Sequence, residues 1–232
     1  MTECIEHNGH TIVASTDVSL LKREKDKGNT ILLIINEDNK SKDTSFARFA
    51  VTEDSVIGGT LADCLDDYFL NRIIARSSGD SCTLMETNRL LIREICESDA
   101  DFIKIIFEQS SGFMEVFFDS QDDLRMILRD YARDIYDFYG YGLWAVCFRD
   151  SKELIGLAGL TLRENDMLEL GYGMRSEYRH KGYCYEACQA ILQYAKENLD
   201  YNEIFARVNR KNIPGLGLAE KLGITVNIVG DN

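Results

Sequence analysis

The stretch LELGYGMRSEYRHKGYCYEACQAILQYAKEN, residues 168–198, decides the fold prediction for this chain. Residues 168–174 alternate apolar with small or polar side chains, which is the periodicity of a β-strand. Residues 179–184 then form a basic turn with a single glycine. From Tyr183 onward the apolar residues recur at helical spacing, and they are Ala187, Ile191, Leu192 and Ala195. The stretch therefore predicts a strand, a basic turn and a helix, with Glu186 on the helix surface.

A basic turn between a strand and a helix predicts an anion site. The first backbone N–H groups of a helix lack partners within the helix, and the helix dipole favours negative charge in front of them. Gly182 has no side chain, so a phosphate can approach the backbone closely there. Arg179, His180 and Lys181 add positive charge next to it. The expected ligand therefore carries phosphate groups.

The composition narrows the class of protein. The chain has 232 residues and a formal net charge of -13. This charge argues against a nucleic-acid partner, whose phosphates would be repelled, and it is compatible with cationic acceptors such as amines. No apolar segment follows a basic N-terminus, and no run is long and apolar enough to span a membrane. We therefore expect a cytoplasmic protein with no membrane or nucleic-acid partner.

The cysteines also indicate the cytoplasm. The chain has seven of them, an odd number without a C-x-x-C pair, which is typical of reduced thiols rather than of a disulfide framework. Cys184 and Cys188 lie four residues apart on one helix face, so a two-thiolate metal site is the alternative to simple packing. Because no His or Cys partner is nearby in sequence, we expect packing and no metal.

The basic turn carries a family resemblance. Arg179-His180-Lys181-Gly182-Tyr183-Cys184, placed after a strand and opening a helix, resembles the acetyl-CoA pyrophosphate loop of the GNAT acyltransferases, with Cys184 at the usual small position. The segments RVNRKN, residues 207–212, and LAEKLG, residues 218–223, follow where the family is expected to have them. Residues 86–93, ETNRLLIR, are similar to the first strand of the branch that contains the ribosomal-protein N-acetyltransferases. The resemblance covers residues 86–232.

The resemblance implies transfer of an acetyl group from acetyl-CoA to a primary amine, directly and in a ternary complex. The acceptor class stays open between a protein N-terminus, an amino sugar and a polyamine. Backbone N–H groups of residues 180–184 would bind the pyrophosphate, pantetheine would lie along residues 172–174, and the Met174 N–H would polarise the thioester carbonyl. The implied cofactor-binding residues are Tyr172, Gly173, Met174, Arg179, His180, Lys181, Gly182, Tyr183, Cys184, Asn209 and Asn212. Helix capping is the alternative role for Asn212 and for Asn209, the second choice.

The glycines of the predicted strand allow a ligand to approach closely. A bulge at Gly171 and Gly173 would splay two parallel strands and open a slot for the cofactor. Glu169, just before them, is the predicted general base, directly or through a water, with a solvated strand carboxylate as the alternative. Related enzymes often place a carboxylate at this point of the central strand.

The general acid is harder to assign. This sequence has Ala219 where many family members have a tyrosine, and Gly215 where the most similar branch often has a serine. Tyr172 is the predicted substitute, with Tyr183 or solvent as alternatives. Because the sequence lacks both hydroxyls, a non-catalytic or weakly catalytic acyl-CoA-binding module is the alternative function.

The aromatic residues Tyr139, Tyr141 and Trp144 are expected either to line the acceptor pocket or, more often in such clusters, to be core.

Residues 1–80 predict a separate small α/β unit with a parallel sheet. Strands are expected at residues 11–14, 30–35 and 46–51, and helices at 17–27 and 60–74. The order is similar to the tail of a haloacid-dehalogenase-type hydrolase, but residues 1–10 contain no aspartate for its catalytic motif, so we expect a remnant without phosphatase activity. His7 and His10 are expected to flank a turn before the first strand rather than to bind a metal.

Residues 77–81 are small and polar and predict the linker to a second domain, residues 84–232. Its periodicity gives the order β-α-α-β-β-β-α-β-α-β, with a helix break at residues 110–112 and a long helix at 119–139. The resemblance implies a GNAT fold, a mixed and mostly antiparallel sheet with flanking helices, here without the family's usual last strand. A homodimer stays open.

Overall fold

The computed structural model describes residues 1–56, 59–78, 80–109, 124–136, 139–201 and 203–230. The chain divides into two compact units, Met1–Cys82 and Thr83–Asn232. In the described residues, no helix is both long and apolar enough to cross a membrane.

The first unit contains a four-stranded sheet with helices. Its elements are β1 Thr2–His7, β2 His10–Ser15, α1 Val18–Asp26, β3 Thr30–Ile35, β4 Ala50–Thr52, α2 Leu61–Cys64 and α3 Asp67–Ser77. The strand order is β1-β2-β3-β4. The prediction of a parallel sheet is confirmed for β2, β3 and β4, while β1 pairs antiparallel with β2. The relation to a hydrolase tail stays a prediction.

The hairpin between β1 and β2 corrects the prediction for the N-terminus. Asn8 and Gly9 both have positive φ, 48° and 78°, as a two-residue hairpin turn requires, and His7 pairs with His10 across it. The turn at the histidines therefore follows a strand that the sequence analysis did not predict. The third predicted strand is also shorter and begins later, at Ala50.

The second unit is built on a seven-stranded sheet. Its elements are β5 Thr83–Glu86, β6 Leu90–Glu94, α4 Ala100–Gln109, α5 Leu124–Tyr131, β7 Leu143–Phe148, β8 Leu154–Leu162, β9 Leu168–Met174, α6 Tyr183–Asn198, β10 Ile204–Asn209, α7 Ile213–Leu222 and β11 Thr225–Val229. The strand order is β11-β10-β9-β8-β7-β6-β5. Strands β5 to β9 pair antiparallel, whereas β10 is parallel to both β9 and β11. The predicted mixed, mostly antiparallel sheet is confirmed.

The predicted order of elements is confirmed, with β5 added in front of it. Helix α5 continues as a π-helical turn, Ala132–Tyr136. The predicted break at residues 110–112 and the first part of the predicted helix, 119–123, lie outside the described residues. Strand β11 is the last strand described, and it lies at the edge of the sheet beside β10.

The register assigns the side chains of the sheet to two faces. Trp144 pairs with Ala158, which pairs with Tyr172, so these residues share one face. Helix α6 covers this face, because the fully buried Trp144 packs edge-to-face on Tyr194 at 5.6 Å. The opposite face carries Arg93, whose guanidinium forms two hydrogen bonds to Asp99 directly before α4.

Candidate active site

Strands β9 and β10 separate after a short paired stretch. Strand β9 pairs with β8 along its whole length, from Leu168 to Met174. It pairs with β10 only at Leu168 and Glu169, which face Ile204 and Phe205. The register between β8 and β9 is regular throughout. The predicted bulge at Gly171 and Gly173 is therefore wrong, and the gap arises because β10 diverges from a regular β9.

The backbone direction of β9 tells which groups face this gap. The N–H of Arg175 donates to Ile155 on the β8 side, with an N–O distance of 3.0 Å. Because successive N–H groups of a strand point in opposite directions, Tyr172 and Met174, which lie beyond the paired stretch, direct theirs away from β8 and toward the gap. The strand thus offers a short open edge to which an extended, amide-containing chain can add.

The basic turn lies directly after this open edge. His180 and Gly182 adopt left-handed backbone conformations, with φ of 60° and 81°. Gly182 is the N-cap of α6, and the first bond of the helix runs from the Glu186 N–H to the Gly182 carbonyl at 3.1 Å. The N–H groups of residues 183–185 therefore precede the hydrogen-bonded turns of α6 and are suited to bind an anion.

The Arg179 side chain binds backbone carbonyls around the turn, while its predicted contribution to cofactor binding stays a prediction. Its Nε donates to the Met174 carbonyl at 3.0 Å, and a terminal nitrogen donates to the Gln109 carbonyl at 2.8 Å. The Gln109 side chain in turn accepts the Ser176 N–H at 2.8 Å. Arg179 thus connects the end of β9 to the last residue of α4, and it holds the turn in place.

The structure adds Arg89 to the site, which the sequence analysis did not identify. A Cβ on Gly182 would lie 3.5 Å from a terminal nitrogen of Arg89, so this guanidinium is next to the turn. Arg89 also lies over the Tyr183 ring, 4.5 Å from its centroid, and donates to the Lys181 carbonyl at 3.3 Å. The positive charge at the start of α6 therefore includes a residue from the β5–β6 hairpin.

Glu186 anchors this arrangement and is not simply a surface residue of α6. Its carboxylate accepts hydrogen bonds from the Thr87 hydroxyl at 2.6 Å, the Arg89 N–H at 3.1 Å and the Arg89 Nε at 2.6 Å. Burial opposes ionisation, but these donors outweigh it and lower the pKa of Glu186. The prediction of a helix-surface position gave no indication of this contact, because the partners are almost a hundred residues away in sequence.

Tyr172 and Asn212 meet at the start of α7. The Tyr172 hydroxyl donates to the Gly215 carbonyl at 3.1 Å, and the Asn212 side chain accepts the Gly215 N–H at 3.0 Å. Asn212 is thus the N-cap of α7. Burial raises the pKa of Tyr172 above its ordinary value, so the hydroxyl stays protonated at neutral pH.

The same contacts explain why glycine and alanine stand in α7. A Cβ on Gly215 would lie 2.5 Å from the Asn212 amide nitrogen, so a serine there would displace the cap. Ala219 is fully buried against Ala206 and Val208, in a cluster of small and medium side chains. A tyrosine at this position would have to displace that cluster.

The remaining predicted residues take ordinary structural positions. The Asn209 side chain accepts the Lys211 N–H at 2.8 Å in the turn after β10. Cys188 is buried and its pKa is raised by its contact with Cys184 and by burial. Within the described parts of the chain, no group of three or more His, Cys, Asp or Glu could hold a metal ion. Trp144 and Tyr141 are buried, whereas Tyr139 is exposed and contacts the Tyr141 ring at 5.6 Å.

Glu169 is the predicted residue whose surroundings fit its assigned role least well. Its side chain is 1% exposed. Oε2 accepts Nε of Arg163 at 2.6 Å, and both oxygens accept Nε of Arg207 at 3.0 Å. A general base needs a lone pair that can reach the proton it removes. Here the lone pairs are engaged by two guanidinium groups, which favours a positioning role over the base role.

A family model described as the acetyltransferase (GNAT) domain matches residues 89–225. The chain belongs to the GNAT acetyltransferase family. GNAT enzymes generally use acetyl-CoA and act on amine acceptors. The divergence of β9 and β10 and the turn at Gly182 thus lie within the matched residues.

Relatives of this GNAT chain were found by sequence and by structure. It is 29% identical over 156 residues to a protein of Bacillus subtilis (strain 168) described as the uncharacterized N-acetyltransferase YjdG, covering 62% of this chain and 90% of that protein. A putative GNAT-family acetyltransferase of Bordetella pertussis superposes with a TM-score of 0.50 and 22% identity, covering 60% of this chain and 86% of the other. A putative ribosomal-protein-serine acetyltransferase of Vibrio cholerae gives a TM-score of 0.50 and 23% identity, covering 60% of this chain and 80% of the other. These structures support the fold.

The geometry fits an acetyl-CoA molecule in two respects. The open edge at Tyr172 and Met174 suits the amides of a pantetheine chain, since such an edge binds extended backbones through paired N–H and C=O groups. The left-handed Gly182 presents no side chain at the N-cap of α6, where the first N–H groups of a helix suit an anion. The GNAT family's donor and this chain's backbone are therefore compatible.

Proposed function

We propose that this GNAT protein transfers the acetyl group of acetyl-CoA to a primary amine, by direct transfer within a ternary complex. The observation that carries the proposal is the divergence of β9 from β10 immediately before the left-handed turn at Gly182. The gap between β9 and β10 suits the pantetheine arm, and the turn at Gly182 suits the pyrophosphate. The gap comes directly before the turn in the chain, as binding of one cofactor molecule to both requires.

The turn and the open edge have separate tasks in this proposal. The N–H groups of His180 to Cys184 bind the pyrophosphate, assisted by the charge of Lys181 and by the Arg89 guanidinium, whose own charge is paired with Glu186. The backbone of Tyr172 and Gly173 borders the pantetheine arm: the Tyr172 N–H faces it, whereas the Gly173 N–H is directed into the β8 pairing. The Met174 N–H faces the gap and polarises the thioester carbonyl as its oxygen gains charge.

Positioning supplies much of the rate in such a reaction. Bound acetyl-CoA supplies an activated acyl group and a thiolate leaving group. Holding the amine against it can contribute on the order of 7–11 kcal/mol to lowering the barrier. The buried Glu169 fixes Arg163 and Arg207 instead of removing the proton, which passes to solvent. The protein then requires an amine that reaches the site in its neutral form.

Tyr172 is the proposed proton donor to the leaving thiolate. Its hydroxyl lies against Gly215, at the position where the most similar branch often has a serine. Because burial raises its pKa, the hydroxyl carries its proton throughout the neutral range. In this step the Tyr172 hydroxyl gives its proton to the thiolate instead of to the Gly215 carbonyl, in place of the hydroxyls that α7 lacks at Gly215 and Ala219, and the phenolate regains a proton from solvent.

A weakly catalytic or inactive acyl-CoA-binding module is the second candidate. The engagement of both Glu169 oxygens by Arg163 and Arg207 favours it, since this leaves the predicted base occupied. Both candidates bind acetyl-CoA. Only the enzyme releases free CoA thiol in an amine-dependent reaction.

The experiment is a thiol-release assay with acetyl-CoA and a panel of primary amines: peptides with free N-termini, amino sugars and polyamines. Amine-dependent thiol release above the rate without protein supports the enzyme. Binding of acetyl-CoA without thiol release for any amine supports the binding module. A trapped acetyl-enzyme would contradict direct transfer. We also propose a cytoplasmic location, because the seven cysteines are all free thiols.

A further inference from the structure

A buried carboxylate holds two arginines at the point where β9 and β10 separate. Glu169 is the last residue of β9 that pairs with β10, opposite Phe205. Arg163 follows β8, and Arg207 is two residues beyond Phe205 on β10. Since residues two apart on a strand share a face, Arg207 extends over the same face as Glu169 and lies beside the gap.

Arg207 keeps binding capacity after it has paired with Glu169. The three side chains carry one net positive charge. Arg207 is 42% exposed and Arg163 29% exposed, whereas Glu169 is 1% exposed. Arg207 donates to Glu169 through Nε alone, and its two terminal nitrogens make no hydrogen bond to any described residue. A guanidinium with two parallel donors available is suited to bind a carboxylate in a bidentate manner.

The surface next to Arg207 is open. On the same face of β10 and β11, the exposed residues are Arg207, Asn209, Thr225, Asn227 and Val229. Gly171 and Gly173, which have no side chain, share the face of Glu169 on β9. Helix α6, which begins at the turn assigned to the cofactor phosphates, covers the other face. Arg207 therefore faces the side of the sheet away from α6.

We propose that Arg207, supported by Arg163 and fixed by Glu169, binds an anionic group of the amine acceptor. The acceptor class is then a primary amine that also carries a carboxylate, such as an amino acid or an acidic peptide. This inference rests on the proposed acetyl transfer. It differs from the expectation of a purely cationic acceptor, which the overall charge of -13 gave, because the exposed Arg207 guanidinium lies beside the gap.

The experiment compares acceptors in matched pairs that differ only in charge. Glycine is paired with glycinamide, β-alanine with β-alaninamide, and an aspartate-containing peptide with its asparagine counterpart. The full chain is assayed for thiol release at low ionic strength. We expect kcat/KM to be at least about tenfold higher for the carboxylate member, mainly through a lower KM. Glutarate, which has no amine, should compete with the acceptor and not with acetyl-CoA.

Variants separate recognition from structure. Arg207→Gln should raise the KM of the carboxylate acceptor and leave that of the amide nearly unchanged. Lys196→Gln removes one positive charge from the exposed last turn of α6 and is the matched control. It should leave the ratio of kcat/KM between the carboxylate and the amide acceptor unchanged. The double variant Glu169→Gln/Arg207→Gln removes the buried carboxylate together with its partner. Thermal unfolding shows whether the single variant folds. If it folds poorly, the double variant tests the same loss of preference for the carboxylate acceptor over its amide.

The outcomes distinguish this inference from the proposed function. Thiol release with equal kcat/KM for both members of each pair would overturn the inference and leave the acetyl transfer intact. If Arg207→Gln retains its fold but lowers kcat/KM equally for the carboxylate and the amide acceptor, Arg207 has a purely structural role. This result would also overturn the inference. Absence of thiol release with every amine would overturn the proposed function itself.

Discussion

The guanidinium of Arg179 donates from Nε to the carbonyl oxygen of Met174 at 3.0 Å. The first residue of the basic turn thereby fixes the last residue of β9, whose N–H faces the gap between the diverging strands. The arginine of the motif thus positions the backbone on which the proposed carbonyl polarisation depends.

Replacement of Arg179 should therefore weaken both folding and cofactor binding. Arg179→Gln loses the paired bonds to Met174 and Gln109, and we expect the free energy of unfolding to fall by about 1–3 kcal/mol. The Kd for acetyl-CoA should rise as well. Urea denaturation and calorimetric titration measure the two effects. Arg179→Lys keeps the charge without the planar fork, so full recovery of affinity in this variant would show that charge, and not positioning, matters.

Glu186 provides a pH-dependent test of the anchor between α6 and the β5–β6 hairpin. Its pKa is lowered in the folded protein, so its contribution is present above the unfolded pKa and is lost as the pH falls through the folded pKa. Glu186→Gln should lower the free energy of unfolding by about 1 kcal/mol at neutral pH. The difference from the natural chain should shrink below about pH 4. A difference independent of pH would contradict the ionic anchor.

The sequence predicted the elements around the site well, because strand and helix periodicity are local. Residues 168–174 and the helix after the basic turn were both identified from spacing alone. The contact of Arg89 with Glu186 could not be, since it joins residues 97 positions apart. Strand β1 was missed although a signal exists, because Asn8-Gly9 between the apolar residues Ile5 and Ile12 is typical of a hairpin.

Two glycines of α7 should respond in opposite ways to alanine. At Gly215 a Cβ would lie 2.5 Å from the Asn212 amide nitrogen and would displace the helix cap, so Gly215→Ala should destabilise by about 1 kcal/mol. At Gly217 a Cβ would meet no heavy atom within 4 Å beyond its own stretch of helix, and Gly217→Ala should stabilise by up to about 1 kcal/mol. Denaturation midpoints of the two variants measure the contrast. Equal effects would contradict the capping account.

The site was only partly predictable for a physical reason. A carboxylate on a central strand is compatible with a base or with a buried ion pair, and only the fold reveals that Arg163 and Arg207 converge on Glu169. The gap was anticipated through a bulge, but the register of β9 is regular and the divergence belongs to β10. Strand pairing depends on both partners, so the sequence of β9 alone could not decide it.

Replacement of Tyr172 should lower kcat without shifting the pH–rate profile near neutrality. Tyr172→Phe removes the hydroxyl bound to Gly215, and kcat should fall by about tenfold, less than the range of about 10²–10⁴ typical of general acids, because a thiolate leaves readily. Burial keeps the pKa above the ordinary 10.0, so the pH–rate profile should not shift near neutrality. Unchanged kcat would remove Tyr172 from the mechanism.

The most direct test of the account is a calorimetric titration of acetyl-CoA into the natural chain, Gly182→Ala and Gly223→Ala. Both glycines have left-handed backbones, with φ of 81° and 70°, so each alanine introduces similar strain of roughly 1–2 kcal/mol. Only Gly182 lies at the turn that opens α6. We expect binding by the natural chain and by Gly223→Ala, with affinity at least about tenfold weaker for Gly182→Ala. Absence of binding by the natural chain, or equal affinity in both variants, would contradict it.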